Sequence, residues 1–363
     1  FKGISTKNII ELDLVEYISD KEAINWQQVV QETFGGEEMK FDVIIGNPPY
    51  QLETGGAGRQ AKPIYHLFVE AAKKLEPLYL SMIIPSRWFA GGMGLIHFRK
   101  NMLQDRHIRV IVDYSNAKDC FPNISLSGGV CYFLRDRDKP GDCLFRNIHN
   151  GKATEMFRML DEFPVLVRYI EAVSILRKIL GHKEKKIMKL ASSLTPFGLP
   201  TNYRGSTTPK QDSDLTVYSS EGISFISRNE ITKGMKYIDN YNVLVSKTGS
   251  EHAGEPSSDG KYRVLSSAMR ILEPGEICTH SYFVIGNFTQ RSYAENLLSY
   301  LKTRLVRFLI LQSMSSINVS RNVFRFVPVQ NFELYWTDEK LYVKYGLTKE
   351  EIDFIESMIR PME

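Results

Sequence analysis

Four consecutive residues, Asn47, Pro48, Pro49 and Tyr50, combine groups that can hold a planar ring bearing an amino group. The Asn47 side-chain oxygen accepts a hydrogen bond, and the Pro48 carbonyl offers a second acceptor. Two successive prolines fix φ and bring no competing N–H. Tyr50 adds a flat face on which a heterocycle could stack, a contact worth about 1–3 kcal/mol per base. With both N–H bonds of an amino group held, its lone pair can be turned toward an electrophile placed in line. This is catalysis by positioning and electrostatics, without a metal or a covalent protein nucleophile.

The tetrapeptide follows the apolar run "FDVIIG" (41–46), which reads as a buried strand. In open α/β sheets ligands sit beyond the carboxyl ends of strands, so the position suits a site. A rigid loop that merely closes a strand is the bland alternative. At background composition the tetrapeptide would arise in only about one in a thousand chains of this length.

The flanking pattern alternates. "IYHLFVEAAKKL" (64–75) and "LIHFRKNMLQ" (95–104) read as amphipathic helices, and "LYLSMIIP" (78–85), "IRVIVDYS" (108–115) and "GGVCYFLRD" (128–136) as strands. Helices on both faces of a mostly parallel sheet follow from such alternation. A long helical stretch, "FPVLVRYIEAVSILRKIL" (163–180), marks the domain change, and short strands and turn clusters such as "LTVYSSEGISFISR" (215–228) and "YNVLVSKTGS" (241–250) lie beyond it. "AENLLSYLKTRLVRFLILQS" (294–313) reads as one long helix, and a last helix follows Thr348, which has capping-box spacing to Glu351.

Composition bounds the rest. The 363 residues suffice for two domains, and 24% charged with 43% hydrophobic residues is ordinary globular composition. A net charge of +4 permits a polyanionic partner without requiring one. The four cysteines show neither metal-ligand nor disulfide spacing, so no metal site and a reducing cytoplasm are expected. No apolar run approaches the roughly 20 residues of a membrane helix, so no membrane partner is expected.

"FDVIIGNPPY" resembles the catalytic motif of S-adenosylmethionine-dependent DNA methyltransferases that modify the exocyclic amino group of adenine. "IYHLFVEAAKKLEP", "LSMIIPSRWF" and "DCFPNISLSGGVCYF" resemble the segments that follow it in that family. "PFGLPTNY" and "FRFVPVQNFELYWTDEKLY" resemble the TaqI-like target-recognition domain of restriction-modification enzymes. The resemblance implies an α/β, partial Rossmann-like methyltransferase core at 1–155, a helical linker at 156–190, an α+β DNA target-recognition domain at 191–335 and a helical extension at 336–363. It further implies methyl transfer to a flipped adenine in duplex DNA, since the duplex hides the amino group. Asn47 and Pro48 would accept from that amino group, Tyr50 would stack on the base, and Phe121 would be the second aromatic around it. Asp13, Asn47 and Phe68 would lie at the cofactor. Lys185, Lys186, Lys189, Asn202, Tyr203, Arg204, Lys210 and Lys247 fall in loops or a linker from which phosphates and base edges can be reached, although for any single one an ordinary solvated loop residue is the commoner case.

The same tetrapeptide serves enzymes that act on RNA bases or on protein glutamine, and a DNA-recognition fragment without chemistry of its own is a further reading. The large second domain favours DNA. The family's glycine-rich cofactor loop precedes the tetrapeptide, yet the 46 residues before Asn47 contain no strand ending in a glycine cluster. "VSKTGSEHAG" is not a downstream substitute, because it lacks the acidic or Pro-flanked strand end that such a loop needs. The chain is therefore expected to be the later part of a longer polypeptide that carries the cofactor half, with any nuclease or helicase domain also outside it. Calorimetric titration of the chain with S-adenosylmethionine should show no low-micromolar binding.

Overall fold

The computed structural model describes residues 24, 28, 29, 32, 40–52, 62–92, 94–123, 126–251 and 256–362. The chain divides into two compact units, residues 1–166 and 167–363. The division falls inside the segment 156–190 that the sequence suggests as a linker. Asp13 lies outside the described residues.

The first unit is α/β. Its elements are β1 (Val43–Gly46), α1 (Tyr65–Lys74), β2 (Tyr79–Pro85), α2 (Ile96–Gln104), β3 (Ile108–Tyr114), β4 (Val130–Asp136), β5 (Cys143–His149) and β6 (Lys152–Arg158). The sheet order is β1-β2-β4-β3-β5-β6. β1 is parallel to β2 and β3 to β5, while β4 and β6 run antiparallel to their neighbours. The sheet is thus mixed rather than mostly parallel, and the connections explain why. Parallel neighbours need a crossover, which α1 supplies between β1 and β2, whereas an antiparallel pair can be joined by two residues. Asn150 and Gly151 do this between β5 and β6, with φ of 50° and 73°, the left-handed pair of a type I′ turn.

Side chains from alternate positions fill the core: Leu80 and Ile84 of β2, Ile111 of β3, Phe133 of β4 and Phe145 of β5 are all at most 1% exposed. β1 departs from its expected burial. Val43 is 54% and Ile45 76% exposed, because β1 is the edge of the sheet and is paired only with β2 among the described residues. α1 turns Leu67, Phe68, Val69, Ala71 and Ala72 inward, and its last-turn Lys73 meets Asp105 at 2.6 Å.

The second unit is α+β. It contains α3 (Ile170–Gly181), β7 (Leu215–Ser219), β8 (Gly222–Ile226), α4 (Met235–Ile238), β9 (Tyr241–Ser246), β10 (Arg270–Leu272), β11 (Glu276–Cys278), β12 (Tyr282–Phe288), α5 (Arg291–Lys302), α6 (Arg304–Leu311), α7 (Asp338–Lys344) and α8 (Lys349–Met358). Two three-stranded sheets, β10-β9-β12 and β11-β7-β8, share a core that includes Val217, Ile226, Leu244, Ile277 and Val284. α6 packs on α8 through Phe308 and Phe354, edge to face at 5.8 Å between ring centroids.

Two helix readings change. Residues 163–169 are not helical, and α3 starts only at Ile170; Pro164 disfavours helix at the residue before it, and Val165 and Val167 are β-branched. The stretch 294–313 is two helices instead of one. Thr303 is extended (φ −60°, ψ 151°), and its side chain accepts from the Val306 N–H as the N-cap of α6. Asp338 then takes the N–H groups of Arg304 and Leu305, both at 2.9 Å, so most of the free donors at this helix start are satisfied. The capping box of α8, Thr348 with Glu351, is present as read. Thr303→Ala should therefore lower unfolding free energy by about 1 kcal/mol, measurable as a lower urea midpoint at unchanged slope.

Candidate functional site

β1, β2 and β3 run in the same direction, so the segments Asn47–Tyr50, Ser86–Phe89 and Ser115–Phe121 leave the sheet at one end. Asn47 is exposed, and its side chain makes no hydrogen bond to the described residues, so its carbonyl oxygen is open to a ligand N–H. Pro48 is buried and Pro49 exposed. The turn is fixed again just downstream: the Tyr50 carbonyl accepts from the Ile64 N–H at 3.1 Å, and the Leu52 N–H donates to Lys62 at 3.1 Å. The tetrapeptide is thus tied to the segment that enters α1.

Tyr50 is half-buried, and its hydroxyl is enclosed without a hydrogen-bond partner. Burial pushes its phenol up to about 12, and the neighbouring thiols of Cys120 and Cys131 add to the rise. The ring stays neutral at physiological pH. Cys120 adjoins Phe121, which is half-buried at the end of a single 3-10 turn where its N–H donates to Ala117 at 2.8 Å. Tyr50 and the segment carrying Phe121 are therefore neighbours. Phe68 is different: it is 4% exposed and packs with Ile24, Ile64, Leu67 and Ala71, so its ring has no open face.

Sequence reasoning missed Asp113. Its carboxyl group is fully buried and accepts from Ser86 Oγ at 2.7 Å and Asn147 Nδ2 at 2.7 Å. Asn147 Nδ2 also reaches Ser115 Oγ at 3.0 Å. The network joins β3, β5 and the segment after β2 where the loops begin. A lone acid inside the apolar run "IRVIVDYS" was the available signal. Trp88, beyond Ser86, is fully buried and meets Phe89 and Phe98 edge to face. In the glycine-rich segment "GGMG" (91–94) that follows, Gly91 is held by Arg99, whose Nη1 donates to its carbonyl at 2.6 Å, and Met93 lies outside the described residues.

The basic and polar candidates of the second unit form two groups. Lys185 and Lys186 run beside Pro328 and Val329: the Val329 N–H donates to Lys185 at 2.7 Å, and Lys186 bridges Pro328. Lys189 is exposed one turn on. The other group centres on His280, whose Nδ1 is 3.3 Å from Thr201 Oγ1, adjacent to Asn202, Tyr203 and Arg204. Lys247 acts electrostatically on the same histidine and helps to lower its pKa, after burial. Burial brings the Lys247 ammonium down to about 8. Tyr203 is half-buried against the core, and Arg204 is paired with Glu221 on the surface. Lys210 sits apart in an exposed turn, its N–H on Asp214 Oδ2 at 2.8 Å. Gly249, in the "TGS" stretch, lies where a Cβ would meet the Val264 carbonyl at 2.7 Å; close packing accounts for that glycine.

With this geometry in hand, comparison with known proteins is informative. Residues 2–121 match the family model of the Eco57I restriction-modification methylase. An "uncharacterized adenine-specific methylase" of Mycoplasma pneumoniae (strain ATCC 29342 / M129 / Subtype 1) is 42% identical over 123 residues, which are 32% of this chain and 29% of that protein. The chain thus spans under a third of the length of this curated relative. Among solved structures, the type IIL restriction-modification enzyme MmeI in complex with DNA aligns with 88% of this chain and 52% of its own, at 10% identity and a TM-score of 0.47. The type IIG restriction endonuclease BpuSI aligns with 88% of this chain and 54% of its own, at 9% identity and a TM-score of 0.34. The resemblance to restriction-modification adenine methylases read from Asn47–Tyr50 is borne out by the family model and the curated relative. No helix among the described residues is long and apolar enough to cross a membrane.

Because Ser86 would lose its buried acceptor and Asn147 one of its two, Asp113→Ala should cost about 2–4 kcal/mol of stability. Chemical denaturation checks this, with Asp113→Asn, which keeps one acceptor oxygen, expected to lose less.

Proposed function

We propose that this chain supplies the base-holding half of an S-adenosylmethionine-dependent DNA methyltransferase of a restriction-modification system, acting on the exocyclic amino group of an adenine turned out of the duplex. The observation that carries the reading is the open Asn47 amide at the end of β1, on a turn stiffened by Pro48 and Pro49, with the neutral Tyr50 ring beside the segment of Cys120 and Phe121.

In this reading Asn47 Oδ1 and the Pro48 carbonyl accept the two amino hydrogens and turn the nitrogen lone pair out of conjugation with the ring. Tyr50 and Phe121 hold the base plane, which compensates for the stacking lost on extrusion.

The described residues do not fit the cofactor itself. Phe68 is closed in a core, and β1, β2 and β3 end in no glycine-rich turn among the described residues. No step is therefore derived through the methyl donor. The exposed apolar face of β1, which has one strand neighbour among the described residues, supports a sheet that continues on further strands. The second unit, with loops that gather Asn202, Tyr203, Arg204 and Lys247 around His280, is the proposed DNA-recognition part. Such an enzyme works in the cytoplasm, where its DNA is.

In a polypeptide that includes the cofactor half, Asn47→Ala should reduce methyl transfer by at least about a thousandfold, since it removes an interaction made to the reacting nitrogen. Duplex binding should stay within about threefold. Radiolabel transfer and an electrophoretic shift assay read the two quantities, and retained transfer would refute the assignment.

A further inference from the structure

We infer that Arg87 holds a backbone phosphate of DNA beside the target nucleotide, an inference that rests on the reading of Asn47–Tyr50 as the base-holding site. β1 and β2 are parallel neighbours, with Gly46 opposite Met82. β1 stops there and gives way to Asn47, whereas β2 runs on for three more residues to Pro85, roughly 10 Å at the rise of a strand. The 3-10 turn Ser86–Phe89 that follows β2 therefore stands beyond the level of Asn47, on the strand next to it. The exocyclic amino group of adenine lies across the base from its glycosidic bond. A base that enters amino group first thus leaves its sugar and phosphates toward this rim.

The turn fixes the root of Arg87 and leaves its end open. The Ser86 N–H donates to the Gly129 carbonyl at 3.0 Å and the Arg87 carbonyl accepts from the Gly91 N–H at 2.8 Å, while Ser86 Oγ is tied to Asp113. Ser86, Trp88 and Phe89 are buried, and Arg87 alone of the four is half-buried. No nitrogen of Arg87 is enclosed among the described residues, so the guanidinium is open to solvent. It also makes no hydrogen bond or ion pair there, which sets it apart in the first unit. Each of the other described arginines of that unit is committed: to a carbonyl, as Arg109 is to Lys139 at 3.2 Å; to a carboxylate, as Arg135 is to Asp105 at 2.9 Å; or to aromatic rings, as Arg158 is to Phe145 and Phe163 at 5.8 Å. The uncommitted one is the one at the end of the sheet where Asn47 lies.

Electrostatics tie the residue to the base site. Arg87 acts on Tyr65 of α1, Tyr65 also senses Cys131, and Cys131 in turn acts on Tyr50. A guanidinium is permanently charged and presents its donors as a rigid fork, which matches two oxygens of one anion. The two unesterified oxygens of a phosphodiester meet that fork in a bidentate pair. Such a contact fixes the backbone and reads no sequence. Fastened next to the extruded nucleotide, it holds the strand in the rotated state while the amino group sits at Asn47. Arg87 is thus a positioning residue, since it touches the backbone and not the reacting nitrogen. A carboxylate of the methyl donor offers the same fork, and kinetics distinguish the two anions.

The test is duplex binding by the full-length protein as a function of salt, for the wild type and for Arg87→Met, Arg87→Lys and Arg106→Met. Arg106 is the control, a surface arginine paired with Asp142 just before β3, at the other end of the sheet. At about 0.1 M salt, Arg87→Met should bind about tenfold more weakly, with the slope of log K against log salt smaller in magnitude by about 0.9, the share of one phosphate. Arg87→Lys should keep the slope, and Arg106→Met should bind as the wild type does. With 2-aminopurine in place of the target adenine, saturating Arg87→Met should give a weaker rise in fluorescence, and kcat for methyl transfer should fall several-fold at an unchanged KM for S-adenosylmethionine. A wild-type affinity and slope in Arg87→Met would overturn the phosphate contact and leave the DNA reading standing. A raised KM for S-adenosylmethionine at a wild-type slope would give the guanidinium to the donor's carboxylate and overturn it as well. Since Arg87 bonds to nothing in the fold, Arg87→Met should melt with the wild type; melting several degrees lower would make the arginine structural, against the inference. Failure of the wild type to bind duplex even at about 50 mM salt would instead bring down the DNA reading, and this contact with it.

Discussion

The first unit depends on one buried carboxyl group. Asp113 lies in β3, fully enclosed, and receives hydrogen bonds from Ser86 after β2 and from Asn147 in β5. A polar group inside a sheet is a liability unless its lone pairs are used, and here one partner comes from another strand and one from the segment after β2. The result is a fixed spacing at the sheet end where the loops begin. Ser86 leads straight into Trp88, locked among Phe89 and Phe98, and Ser115, which shares Asn147, leads into the segment that carries Phe121. Loops can present side chains accurately when their roots cannot shift, and this network supplies the roots.

The tetrapeptide is made rigid by a different device. It leaves β1, which among the described residues is paired on one side only, and no buried polar network among those residues reaches it. Two prolines remove its backbone freedom, and the hydrogen bonds of Tyr50 and Leu52 to the 62–64 segment hold its far end. The arrangement leaves Asn47 open while Pro48 is buried. An amide meant to hold a substrate must be both immobile and unsatisfied, and rigid backbone achieves this where a hydrogen bond to the amide itself would not.

What the sequence revealed and what it hid divide along physical lines. The tetrapeptide, α1, α2 and strands β2 to β4 were legible because each rests on local periodicity or local turn chemistry. The Asn150–Gly151 turn was equally local and carried a strong hairpin signal, yet it went unread, and β5 and β6 with it. The break at Thr303 was not local: the Thr303 side chain and Asp338, more than thirty residues on, together satisfy the start of α6, and periodicity continues unbroken through the residue. The exposure of β1 was illegible for the same reason, since an apolar run looks alike whether one or two strands flank it. Among the site residues, Asn47 and Tyr50 were named by the motif. Asp113 has a role only through Ser86 and Asn147, 27 and 34 residues away.

Buried polar groups therefore fall into two kinds, and hydrogen-bond accounting separates them. Where every group finds a protein partner, as along Ser86, Asp113, Asn147 and Ser115, the network specifies the fold. Arg307 belongs to the second kind. Its guanidinium is fully buried with one nitrogen unsatisfied, but Nε and Nη1 donate to the carbonyls of Lys302 and Arg263 at 3.0 and 3.2 Å. That is a structural bolt with one arm to spare.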